Sequence, residues 1–158
     1  MKKTLISVLL MLALFMGVEE ALGEAAEPFA AEKEAAIAAV LAAVPGAEVD
    51  YAIRDRDDGR YEWHVFFRQS GVLGMAKVLE TDSEVRKVEM FNQSRDTSLT
   101  ASELIAKLVQ AKGEMTIVDL DIDWDDGMLV YDGEAEMNGK RYEFEITADG
   151  VIVEWERD

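Results

Sequence analysis

The chain has 158 residues, no cysteine, one histidine and a formal charge of -17. Its length allows one ordinary domain or two small units sharing a core, and the lack of cysteine excludes disulfides, thiolate nucleophiles and cysteine-bound zinc. The acidity excludes nucleic acid and anionic lipid, both of which need a basic surface, while 49% hydrophobic residues are enough to build a core.

The N-terminus reads Met1-Lys2-Lys3, then the uncharged run "LISVLLMLALFMGV", then the small-residue site "ALG" at Ala21–Gly23. This is the pattern of a secretory signal peptide over residues 1–23. Fourteen apolar residues fall short of the roughly 18 to 20 that span a bilayer, so no membrane insertion is expected after cleavage. The protein is expected to be secreted or held outside the cytoplasm, in the cell envelope.

Residues 24–31, "EAAEPFAA", form a lead-in. In "EKEAAIAAVLAAVPG", Ile37, Val40, Leu41 and Val44 recur at helical spacing and Pro45-Gly46 ends the run, which predicts one helix. Alternating segments follow, "AEVDYAIRDR", "RYEWHVFFR", "GMAKVLE" and "EVRKVEMF", divided by Asp57-Asp58-Gly59 and Ser70-Gly71, and these predict short strands. Residues 92–98 read as a polar linker. A second helix is predicted from Thr100 as N-cap, Glu103 as its capping-box partner and Leu99 against Leu104 as a staple, ending at Gly113. Four strands follow, "MTIVDLDIDW", "MLVYDGEAEM", "KRYEFEIT" and "VIVEWE", with Asp-Gly and Asn-Gly turns between them.

A shift of 68 lays Asp57-Asp58-Gly59 on Asp125-Asp126-Gly127, Ser70-Gly71 on Asn138-Gly139 and Ala38 on Ala106, whereas Tyr61 meets Tyr131 at 70. The pattern is an internal duplication. The predicted fold class is α+β: two tandem repeats, over residues 32–91 and 99–158, each a helix packed on a three- to four-stranded antiparallel sheet. Each repeat is a marginal core by itself, so the two should pair.

The stretch "VDLDIDWDDG" holds five aspartates in the eight residues from Asp119 to Asp126. It fails as an EF-hand loop, because counting from Asp121 puts Asp126 at the glycine position and Asp132 at the glutamate position. Instead Val118, Leu120, Ile122 and Trp124 alternate with Asp119, Asp121 and Asp123, the period of a half-buried strand. Later strands continue the alternation: Tyr131, Ala135, Phe144, Ile146, Val151, Val153 and Trp155 point to the helix, and Glu134, Glu136, Glu143 and Glu145 point away. From Asp119 onward, fourteen acidic residues face Lys140, Arg141 and Arg157. Such a face either stays solvated or binds something cationic, a basic protein surface or a weakly held calcium ion.

The first repeat differs. His64, Phe66 and Arg68 alternate with Tyr61, Trp63, Val65 and Phe67, so Phe66 is placed on the outer sheet face, either as an interaction patch or packed on the neighbouring repeat. His64, the single histidine, is read as a surface residue; it excludes histidine clusters for metal and histidine triads, and no metal-ligand set is assigned. No nucleophile elbow, phosphate-binding glycine loop or HExxH motif is present, so the chain is not expected to be an enzyme.

The helix ending "AKGEM", the strand "VDLDIDWDDG" and the series "VYDGEAEMNGKRYEFEITADGVIVEWERD" resemble the PepSY domain, the module of metallopeptidase propeptides and YpeB-type proteins. The second repeat resembles it closely and the first more loosely. The resemblance implies a non-enzymatic extracytoplasmic module that binds or restrains a peptidase or another envelope protein. It supplies no catalytic residues, and without a peptidase domain in the chain any inhibition would act in trans. A calcium-associated or structural envelope protein using the acidic face is the alternative.

Overall fold

Four dipeptides dictate the chain reversals. Asp58-Gly59, Ser70-Gly71, Asp126-Gly127 and Asn138-Gly139 take positive φ at both residues, the backbone of a two-residue type I′ hairpin. The computed structural model describes residues 27–158 apart from residues 93 and 96; the predicted signal peptide lies outside the described residues. In the first half, helix α1 (Ala30–Ala43) precedes β1 (Glu48–Asp57), β2 (Arg60–Gln69), β3 (Val72–Leu79) and β4 (Val85–Phe91). In the second, α2 (Ala101–Lys112) precedes β5 (Thr116–Asp125), β6 (Met128–Met137), β7 (Lys140–Thr147) and β8 (Ile152–Arg157). Each set of strands forms its own antiparallel meander, β1-β2-β3-β4 and β5-β6-β7-β8, so the α+β class and the pair of helix-plus-sheet units are as expected.

The repetition is tighter than the sequence suggested. Strands β1, β2 and β3 begin at 48, 60 and 72, and β5, β6 and β7 at 116, 128 and 140, a constant offset of 68. Even a bulge recurs, with Asp50 skipped between Val49 and Tyr51 in one register and Val118 skipped between Ile117 and Asp119 in the other. Tyr131 therefore occupies the place of Trp63, and the alignment with Tyr61 is corrected.

Bulges also correct three expected orientations, because one extra residue reverses the side-chain alternation beyond it. At Val118 the bulge lets Ile117 as well as Leu120 and Ile122 reach the core. Between β7 and β8 the register steps from Glu145–Glu154 to Ile146–Ile152, so Ile152 packs inward while Val151 and Val153 stand 61% and 55% exposed. Trp124, at the open end of β5, is also exposed.

Two hydrophobic cores result. Helix α1, with Val44 just past its end, lays Ala36, Val40 and Val44 on one face of the first sheet, against Ala52, Trp63, Val65, Phe67, Ala76 and Val78. These helix residues lie four apart, so Leu41 falls beside their stripe and faces solvent. The opposite face of that sheet, with Ile53, Phe66, Leu73, Met75 and Phe91, joins Leu104 and Leu108 of α2 and the inner face of the second sheet. The first sheet is thus covered on both faces and the second on one.

Polar contacts fix this junction. The Thr100–Glu103 capping box opens α2, and the Gly113 N–H donates to the Val109 carbonyl to close it. The bulged Asp50 accepts from the Ser102 N–H at 2.9 Å, a carboxylate at a helix N-terminus that contributes about 0.3–1 kcal/mol. The buried Tyr131 hydroxyl donates to the Leu99 carbonyl at 2.9 Å, and burial, with the Asp50 charge adding to it, raises its pKa far above the usual phenol value.

Candidate binding face

The uncovered face of the second sheet opposes acid to acid. Its registers pair Asp119 with Glu134, Asp121 with Asp132, Asp132 with Glu145, Glu134 with Glu143, Glu143 with Glu156 and Glu145 with Glu154. Each like-charged cross-strand pair destabilises the sheet by a few tenths of a kcal/mol or more. Among the described residues, two ion pairs relieve it: Arg141 to Glu134 at 3.0 Å and Lys77, from the first sheet, to Asp121 at 2.8 Å.

Desolvation is the first cause holding the Asp132 and Glu145 carboxyls above their ordinary values, and neighbouring acids add to it: Asp121 for Asp132, Asp125 and Glu154 for Glu145. Asp132, Glu134, Glu143, Glu145 and Glu154 ring a shallow depression of about 270 Å³. Its floor is Gly133, where a Cβ would meet the Asp119 carbonyl oxygen at 2.3 Å and the Phe144 ring at 3.0 Å. Only glycine lets the chain pass so close.

The predicted residues divide. Glu134, Glu136, Glu143 and Glu145 lie on this face, and Asp123 is exposed beside the β5–β6 turn. Asp121 instead turns to Lys77. Asp119 is half-buried, its carboxyl raised first by desolvation and then by Asp55, and its Oδ1 is buried without a hydrogen-bond partner.

His64, Phe66 and Arg68 are not an open patch, and the surface reading of His64 is corrected. His64 and Phe66 are each 2% exposed. The Phe66 ring lies 6.3 Å from that of Tyr131 in the shared core, which is the packing alternative for that residue. Arg68 donates to the carbonyls of Gly71 and Ser98 at 3.0 and 2.6 Å, so its charge holds the 92–98 connection in place.

One feature had no signal in the alternation. Beside the acidic face, Trp124, Met128, Val151 and Val153 border a cavity of about 620 Å³ with Leu129 in its wall. Three of these four were expected to point inward, and only the β8 bulge and the open end of β5 turn them out.

Comparison with known proteins places a family on the first half. Residues 31–89 match PepSY, described as the peptidase propeptide and YPEB domain. The resemblance was read more strongly in the second half, which that match does not include. No curated protein matches the chain. Similar solved structures include a protein of Clostridium difficile 630 described as a lipoprotein, 12% identical over 78% of this chain and 90% of its own, with a TM-score of 0.44. A DUF2874 family protein of Bacteroides uniformis ATCC 8492 is 11% identical over 78% and 87%, with a TM-score of 0.32. A BLIP-like protein of Bacteroides fragilis NCTC 9343 is 10% identical over 78% and 84%, with a TM-score of 0.31. Among the described residues no helix is long and apolar enough to cross a membrane.

Proposed function

With residues 31–89 belonging to the PepSY family, we propose that this protein is a non-catalytic extracytoplasmic binding module that engages, in trans, a basic surface of an exported peptidase or another envelope protein. The observation that carries the reading is the set of four like-charged cross-strand pairs on one uncovered sheet face, Asp132–Glu145, Glu134–Glu143, Glu143–Glu156 and Glu145–Glu154. A surface that repels itself gains most when a cationic partner covers it. The neighbouring cleft edged by Trp124 and Met128 supplies what acid alone lacks, an apolar seat for an anchoring side chain. The leader expected at residues 1–23 supports export, and the family supports a peptidase as the partner.

The test is a capture experiment from the extracellular fraction with the purified protein and a variant carrying Glu134→Gln, Glu136→Gln, Glu143→Gln and Glu145→Gln. The captured partner should bind the variant at least tenfold more weakly, lose affinity with rising salt, and, if a peptidase, lose activity in the complex. Equal capture by both proteins, or salt-independent binding, would sink the reading. A calcium-associated structural role is the second reading, favoured by the five carboxylates around one depression.

A further inference from the structure

We propose that Asp55, Glu62 and His64 form a binding site for one divalent transition-metal ion of the zinc class, set where the second half docks on the first. Asp55 and Glu62 are direct cross-strand partners, and His64 lies two residues beyond Glu62 on β2. Alternation therefore sends all three side chains off the same sheet face. One ligand atom from each lies within 4.8 Å of the others. The His64 Nε2 stands 3.1 Å from Glu62 Oε1 and 3.7 Å from Asp55 Oδ2. Ligands about 2.0–2.2 Å from a tetrahedral ion are separated by roughly 3.3–3.6 Å, so the three atoms need little movement to enclose one.

The histidine itself points to a cation. Its Nδ1 is 2.9 Å from the Leu120 carbonyl oxygen. A carbonyl only accepts, so Nδ1 carries the hydrogen and donates it, and in the neutral ring Nε2 is then a bare lone pair. That lone pair faces two carboxylates, which are also acceptors. The contact therefore needs a cation between the ring and the carboxylates, a metal ion or a proton, at a ring that is 2% exposed. An Nδ1–H donated to a backbone carbonyl is the outer contact that orients a metal-binding imidazole.

A second observation comes from β5. The buried Oδ1 of Asp119 has no hydrogen-bond partner, and Asp119 is near enough to Asp55 and His64 for their charges to act on it. Lys77 is the cation that feels Glu62 and Asp55, but its ammonium is committed to Asp121 at 2.8 Å. One imidazole and two carboxylates suit zinc, cobalt or manganese, whereas calcium prefers six to eight oxygens. The fourth position would fall to water or Asp119. Because Leu120 orients the ring, metal binding would fasten the second half to the first.

The test uses the purified protein after chelation, titrated calorimetrically with zinc chloride and, in parallel, calcium chloride. One equivalent of zinc should bind and raise Tm by roughly 5 °C or more at saturation, with calcium giving no comparable step. Asp55→Asn and Glu62→Gln, both at half-buried positions and checked for native circular dichroism, should each weaken zinc at least tenfold. The quadruple variant of the outer face should leave zinc affinity unchanged, so the site and the proposed partner face can fail separately. No zinc binding, which would leave a proton in place of the ion between His64 and the two carboxyls, overturns the proposal. So does zinc binding that survives Asp55→Asn and Glu62→Gln or disappears in the quadruple variant.

Discussion

The outer faces of the two sheets occupy the same register positions 68 residues apart and hold opposite chemistry. Tyr51, Ile53, Phe66, Met75 and Lys77 in the first sheet stand where Asp119, Asp121, Glu134, Glu143 and Glu145 stand in the second. The first set is covered by α2 and the second sheet; of the second set Glu134, Glu143 and Glu145 are left open, while Asp119 and Asp121 turn toward the first sheet. The difference teaches how two like helix-plus-sheet units become one body: one makes its second face apolar and so docks the other, while the other keeps that face charged and so leaves it unstacked. A third copy could not add to a carboxylate face. Carboxylates on an outer face also discourage unwanted pairing with other chains.

Exchanging the two chemistries is the most severe way to break this comparison. Phe66→Glu copies Glu134 into the buried position; an unpaired carboxylate there, with the ring contact to Tyr131 lost, should cost at least about 4 kcal/mol and leave much of the chain unfolded in denaturant titration. A variant that kept wild-type stability would mean that the two halves do not share a core. A smaller effect is expected at the ion pair joining the two sheets. Lys77→Met removes the cation from Asp121 and should cost about 1 kcal/mol in urea unfolding, largely recovered when Asp121→Asn is added.

The smallest effect has the opposite sign. Glu143→Gln with Glu145→Gln removes four like-charged pairs and should raise stability by about 0.5–1 kcal/mol, a gain that added salt erodes. If the calcium reading holds, several millimolar calcium raises the Tm of the wild type and not of this variant. Desolvation, with this repulsion added to it, sets a pH dependence. Asp132 and Glu145 have folded-state pKa values above their ordinary ones, so the folded protein holds protons more readily than the unfolded chain. Stability from these groups grows as pH falls from neutral toward the carboxylate range and is lost as pH rises through their raised values. Glu80, held below 4.5 by its hydrogen bonds to Arg54, acts in reverse and removes stability as pH falls below that value. Thermal midpoints across pH 4 to 8 should therefore peak on the acid side of neutrality, and a peak above pH 7 would contradict the mutual repulsion.

Much of the architecture was legible. The two-residue turns, the capping box at Thr100, the helix stops and the acidic side of β6 and β7 follow from near neighbours in the chain, which period and turn chemistry report directly. Less of the candidate site was legible. Val118 and Val153 look like ordinary members of an alternating strand, and nothing local marks either as a bulge. Asp119 and Asp121 read as members of the open acidic face, yet β5 is the strand nearest the first sheet, and both turn toward that sheet's charges.

By itself the sequence determined which residues form helices and strands, where the chain turns, that the plan occurs twice, and that one face is carboxylate. These depend on spacing within a few residues. Only the tertiary structure decided which faces are covered. It buried His64 and Phe66, drew Arg68 onto the linker, turned Val151 and Val153 outward, and gathered Asp55, Glu62 and His64 beneath the Leu120 carbonyl. Alternation separates the two sides of a strand, but it does not say what lies against each side. That depends on a sheet, a helix and a carbonyl brought together from more than fifty residues away.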